Sequence, residues 1–169
     1  MNELEPFPLP ERRRPRVYIA GPISRGDLAH NVNQATAAFV ALARAGFAPL
    51  CPHWSVYSKP ARKEILTDDD GEQWPAVICE ATAAGNPDMT HADWMGVDLP
   101  WVEVADAVVR LPGDSTGADL ETAHARARGI PVFGSVRELT DGWADAAIAR
   151  RMHGGDGCPG AGFCDACGV

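Results

Sequence analysis

Apolar and polar positions along the chain switch between two periods, and the switches mark out a strand and helix order. Val17-Tyr18-Ile19-Ala20 is a β-rich run ending in Gly21-Pro22, which predicts a first strand entering a loop. From Asn31 to Ala45 the apolar residues Val32, Ala35, Phe39 and Leu42 recur at helical spacing, and Gly46 ends the segment. Phe47-Ala48-Pro49-Leu50 predicts a second short strand. The β-branched run from Val104 to Arg110 predicts a buried strand, a helical segment closes at Gly129, and Ile130-Pro131-Val132-Phe133 opens another strand. Ser135 to Arg151 predicts a last helix, with Thr140 or Asp141 as its cap and Trp143, Ala147 and Ile148 as its buried stripe. Strand, turn, helix, strand occurs twice, so the expected class is α/β with parallel pairing.

The remaining stretches are less regular. Residues 1–16 hold four prolines and Arg12-Arg13-Arg14, and read as a flexible N-terminal arm. Residues 54–90 are too long for a plain connection and read as an insert or lid. Within them Asp68-Asp69-Asp70-Gly71 predicts a turn and Trp74 to Ala84 a helix. From His91 to Val102 a helical leader would place Trp94, Asp98 and Trp101 on one face. Residues 17–151 thus form one domain, followed by a Cys-rich tail over 152–169.

Composition narrows the function classes. A chain of 169 residues buries a full core without disulfides. A net charge of −8 argues against a nucleic-acid polymer or an anionic membrane surface as partner, while a local cradle can still hold a small anion. No apolar run approaches the roughly 20 residues of a membrane span, and Met1 to Pro10 lacks the order of a signal peptide. Five unevenly placed cysteines do not make a secreted disulfide framework, so the expected location is cytoplasmic.

The densest candidate chemistry lies between Leu111 and Glu121. Ser115, Thr116 and Gly117 fall at a predicted helix start, where free N–H groups and the helix dipole favour an anion. Glu121, about one turn in, would face the crevice beyond the strand ends. The plainer alternative is that Ser115 only caps the helix and Glu121 is solvated. The loop from Gly21 to Asp27 adds Pro22, a hydroxyl on Ser24 and the Arg25 guanidinium; its glycines allow close backbone approach, and Arg can grip a phosphate. Cys51-Pro52-His53 offers too few ligand types for a metal, and Cys51 reads as a packed side chain. In the tail, His153, Cys158, Cys164 and Cys167 form a Cys₃His set for structural zinc, with free thiols or a reversible dithiol as alternatives. Trp54, Trp74, Trp94 and Trp101 are candidates for stacking on a base, or for core packing.

Three pieces together carry a resemblance: Tyr18-Ile19-Ala20-Gly21-Pro22; Asp98-Leu99 and Trp101 leading to Ala105-Asp106 and Val108-Val109; and Ser115, Gly117 and Glu121 with Ala125 and Gly129-Ile130-Pro131-Val132 beyond. In this order, over roughly residues 17–134, the chain resembles the nucleoside 2-deoxyribosyltransferase-like superfamily, which includes nucleoside 5′-monophosphate N-glycosidases. The resemblance implies a single Rossmann-like or flavodoxin-like domain with a roughly five-stranded parallel sheet flanked by helices. It implies assembly as a homodimer or higher homo-oligomer, and no cofactor for catalysis. Residue by residue, Glu121 is similar to the carboxylate that attacks or shields the anomeric carbon, Asp98 to the acid that assists the departing base, and Tyr18 to the residue beside the nucleophile. Ser115 and the loop bearing Gly21, Pro22, Ser24 and Arg25 are similar to the phosphate contacts, with Gly117 beside them. The expected function is cleavage of the N-glycosidic bond of a (deoxy)nucleoside 5′-monophosphate. The alternatives are base exchange by a nucleoside 2-deoxyribosyltransferase and a non-catalytic nucleotide-binding module. The chain departs from the monophosphate-hydrolase pattern in a loop one residue longer before Arg25, and from the transferases in its Cys-rich C-terminal region.

Overall fold

The structure, a computed structural model, describes residues 13–58, 62–80 and 88–144. Four strands form a parallel sheet in the order β2-β1-β5-β6: β1 (Arg16–Ala20), β2 (Ala48–Leu50), β5 (Ala107–Arg110) and β6 (Val132–Phe133). Two further strands, β3 (Arg62–Thr67) and β4 (Gln73–Ile78), pair antiparallel as a separate hairpin. The main sheet thus has four strands among the described residues where five were expected.

Strands of a parallel sheet are covered on both faces and become continuously apolar. β1 follows that rule, with Val17 to Ala20 all buried. Val17 and Ile19 point to one face and pack with Ala35, Ala38 and Leu42 of α1 (Leu28–Arg44) and with Leu139 from a helical segment over 136–144. Tyr18 and Ala20 point to the other face, against Val102 of α2 (His91–Val104) and Ala118 and Ala125 of α3 (Thr116–Ala127). The result is helix, sheet, helix in three layers. Each fully buried aliphatic side chain contributes about 1.5–3 kcal/mol to holding them together.

The helix ends follow local chemistry. Asp27 caps α1 by accepting from the His30 amide at 2.7 Å, and Gly46, at a φ of 90°, turns the chain into β2. Thr90 and Asp93 form a reciprocal capping box at the start of α2. Ser135 accepts from the Glu138 amide at 3.1 Å and starts the 136–144 segment, which corrects the expected cap at Thr140 or Asp141. Trp143 does reach the core, edge-on to Phe47, whereas Ala147 and Ile148 lie outside the described residues.

Two other expectations are corrected here. Trp74 to Ile78 is strand, not helix: the Asp68–Gly71 turn folds Gln73–Ile78 back onto Arg62–Thr67, and ladder pairing outweighs helical spacing. Val104 and Ala105 belong to the end of α2 and its cap, so β5 begins only at Ala107. The last residues of the predicted arm are pinned, because Arg13 pairs with Asp106 at 3.0 Å and Arg16 already belongs to β1.

Candidate functional site

In sequence, β1 is followed by a helix and β2 on one side, while β5 joins it on the other. The strand order therefore reverses between β1 and β5. In open α/β sheets ligands bind beyond the strand ends at such a reversal. A cavity of about 150 Å³ opens there, bounded by Gly21 after β1, by Ser115, Gly117 and Glu121 of the β5–α3 turn and helix, and by Trp94 and Asp98 of α2.

Two carboxyls, Glu121 and Asp98, line this cavity, and the buried Tyr18 hydroxyl lies against both. Tyr18 is carried on the central strand, its ring buried under α2 and α3, and its hydroxyl donates to Glu121 Oε1 at 2.9 Å. Glu121 stands on the core-facing stripe of α3 with Ala118, Thr122 and Ala125, and is only 6% exposed, so the solvated alternative is overturned. Asp98, half-buried on α2, also faces the Tyr18 hydroxyl. Burial pushes the Glu121 carboxyl up to about 7; the Tyr18 hydroxyl opposes the rise, the Asp98 charge adds to it and the Arg110 charge lowers it. Burial pushes Asp98 up to about 6, again against the Tyr18 hydrogen bond. Burial, then the two carboxylates, drive the Tyr18 phenol far above its ordinary range, so it stays a donor. Two coupled carboxyls titrating around neutrality share one proton, which leaves one a base or nucleophile and the other an acid.

Beside this trio, Ser115 both caps α3, accepting from the Ala118 amide at 3.2 Å, and lines the cavity, so capping and ligand-facing roles coexist. The two loops that bracket the cavity are braced from below. Asn31 of α1, buried, donates to the carbonyls of Ile23 and Arg25 at 3.2 and 2.7 Å. Arg110 donates to the Gly113 carbonyl and to Asp119, both at 2.9 Å, and to the Leu111 carbonyl.

The other predicted contacts divide. Gly21 and Ser24 line the cavity. Gly21 leaves little room for a side chain, since a Cβ there would come within 3.0 Å of His53 Nε2 and 3.1 Å of Leu111 Cβ, and either neighbour would have to give way. Pro22 is buried under the second loop, and a Cβ on Gly113 would meet its Cγ at 2.9 Å; its place is in packing. Arg25 does not point into the cavity as a free cation: it forms an ion pair with Asp114 and reaches Thr116 Oγ1 at 3.5 Å.

Of the tryptophans, Trp94 lines the cavity and Trp101 does not. Trp101 lies one turn too far along α2 and borders an apolar groove with Tyr18, Pro49 and Leu50. Trp54 packs on Phe39 and donates to Thr36, and Trp74 sits in the hairpin.

His91, Ser55, Val56 and Met95 complete the cavity wall and were not anticipated. Thr90 followed by Asp93 is a readable helix start, and it would have placed His91 at the crevice. His53 is buried with neither ring nitrogen hydrogen-bonded among the described residues, and burial lowers it to about 4, so it stays neutral. Burial raises the Cys51 thiol to about 11, keeping it protonated and a poor metal ligand. Among the described residues no three His, Cys, Asp or Glu side chains group as a metal site; the His153, Cys158, Cys164 and Cys167 set lies outside them. Also among the described residues, no helix is long and apolar enough to cross a membrane.

Compared with family models, curated proteins and solved structures, the chain matches none.

Proposed function

We propose that the protein cleaves the N-glycosidic bond of a (deoxy)nucleoside 5′-monophosphate, releasing free base and sugar phosphate. The observation that carries this reading is the Tyr18 hydroxyl bonded to the buried Glu121 carboxylate, with Asp98 on the same hydroxyl, at the mouth of the switch-point crevice. Breaking this bond builds positive charge on the sugar and negative charge on the base. A carboxylate at C1′ and an acid at the base meet both demands. Glu121 attacks or shields C1′, with Tyr18 fixing its orientation. The pair's proton rests mainly on Glu121, the more strongly raised of the two, and the reactive arrangement is the one in which it has passed to Asp98, which gives it to the departing base. Water then adds its oxygen to C1′, releasing Glu121 and giving its proton to the carboxylate that Asp98 has become. Ser115 and the amides at the start of α3 receive the phosphate, and the Trp94 ring, Met95 and Val56 supply an apolar wall for the base.

The test is chromatographic measurement of free base from a panel of ribo- and deoxyribonucleoside monophosphates and the matching nucleosides, with wild type beside Glu121→Gln. Release from a monophosphate, reduced at least about a hundredfold in the variant, is expected. Turnover only when an acceptor base is added would move the reading to base exchange. Binding of monophosphates without turnover under any condition would leave a nucleotide-binding module.

A further inference from the structure

The two faces of the sheet are not covered alike. On the side of α2 and α3, both helices lie over β1, whereas the helix packed chiefly against the edge strand β2 is α1, on the opposite side. An apolar groove of about 160 Å³ is left beside the end of α2. The parallel register sets Arg16 beside Ala48 and Tyr18 beside Leu50, so these four share its floor. Trp101 and Val104 of α2 form its wall and are 52% and 43% exposed. Apolar groups gathered in this way around one depression mark a surface built to be covered.

What covers it follows from where the rest of the chain leaves the fold. Residues 145–169 continue a helical segment that packs through Leu139 and Trp143 on the opposite face. Residues 81–87 lead towards the start of α2, the end away from Trp101 and Val104, and residues 59–61 lead into the hairpin. Residues 1–12 join the fold at the groove itself. The Pro15 carbonyl accepts from the Ala48 amide at 2.8 Å, Arg16 is in the floor, and Arg13 pairs with Asp106 at 3.0 Å, next to Ala105 of the groove. In that arm Phe7 precedes Pro8 and Leu9 precedes Pro10, and a following proline biases each towards extended backbone. Side chains two apart on an extended chain share a face at a separation of about 7 Å, which matches Arg16 and Tyr18 along β1. The reach also suffices. Phe7 stands six residues before Arg13 and can lie up to about 20 Å from it, while Tyr18 is five residues beyond, about 17 Å along the strand. Pro6, Pro8 and Pro10 restrict the free segment and so lower the entropy lost on docking.

We infer that residues 6–10 of the arm fold back over this groove as an intramolecular strap, with Phe7 seated against Leu50 and Trp101 and Leu9 nearer Ala48 and Val104. The strap ties the end of α2 to the β1–β2 edge, and its presence does not depend on the proposed reaction. The test is NMR of the full-length protein with labelled methyl and aromatic groups, Phe7 and Leu50 being assigned from the resonances lost in Phe7→Leu and Leu50→Val. The Phe7 ring protons should show NOEs to the Leu50 methyls, and a mixture of labelled and unlabelled chains should show that these arise within one molecule. In a second measurement, the Trp101 emission, taken as the difference from Trp101→Phe, should shift to the red in Phe7→Ser/Leu9→Ser as the ring returns to water. Phe7 protons at random-coil shifts with no NOE to Leu50, or Trp101 emission unmoved in the double variant, would overturn the inference. NOEs found only between molecules would also overturn it and give the groove to a second copy, and NOEs to the groove from residues 145–169 would give it to the tail.

Discussion

Glu121 occupies a position that a core would give to alanine or leucine, since its neighbours on the α3 stripe are Ala118 and Ala125. Holding a carboxylate there has a cost that can be read as a function of pH. In the unfolded chain a glutamate titrates near about 4.3, and here it is raised to about 7. The folded state keeps its proton through that interval, so stability falls as pH rises through it, and the penalty is complete above about 7. Glu121→Gln should therefore be more stable than wild type at pH 8, on the order of 2 kcal/mol by urea unfolding, with the difference vanishing near pH 4. His53 works the other way, losing stability as pH falls towards its lowered value, but it is present in both proteins and cancels. The same two carboxyls predict a bell-shaped kcat/KM. Below about 6 both are protonated and the nucleophile is lost; above about 7 both are ionised and the acid is lost. A flat profile between pH 5 and 8 would contradict the shared proton. Glu121, Asp98 and Tyr18 were legible because each lies in a short motif at a strand end or on a helix face. His91 and Asn31 were not, since a lone polar residue beside a helix start carries no periodic signal.

At the scale of elements, α2 has to hold Asp98 against Tyr18 although Pro100 sits inside it and cannot donate to the carbonyl one turn back. Its fixed point is the capping box, with Thr90 Oγ1 accepting from the Asp93 amide at 3.2 Å and Asp93 accepting from the Thr90 amide at 2.8 Å. Thr90→Ala should cost about 1 kcal/mol in thermal or denaturant unfolding and should lower base release by more than that stability loss explains. Equal activity per folded molecule would mean that the start of α2 does not position Asp98. The four strands of the main sheet and α1 were legible from period alone, each within a few residues of its observed bounds. The Trp74 helix failed because short apolar runs fit either period, and here the pairing partner across the Asp68 turn decided. The final helix was found, but its cap was misplaced because Ser135, Thr140 and Asp141 are all competent caps and only tertiary position selects one.

At the scale of the molecule, the three-layer sheet and the β3–β4 hairpin differ in how they are held. β1 pairs on both sides and is buried on both faces, whereas β3 and β4 pack chiefly on each other, with Ile65 63% and Val77 66% exposed. A two-stranded ribbon of that kind is marginal alone. In hydrogen exchange the amides of β3 and β4 should therefore exchange well before those of β1 and β5, through an opening that leaves the main sheet intact. Equal protection would show that the hairpin is cooperative with the core. The class of fold was legible because parallel strands and amphipathic helices leave strong patterns; the hairpin was not, because an exposed ribbon has no buried face to write one. The central position of β1 reaches further than stability. Tyr18 stands in one of the two inner strands, which cannot shift without dismantling the sheet, while Ser24 and His91 stand on a loop and a helix start that can. Substitution at the rim can therefore change what the cavity accepts without touching the Tyr18–Glu121 pair beneath it.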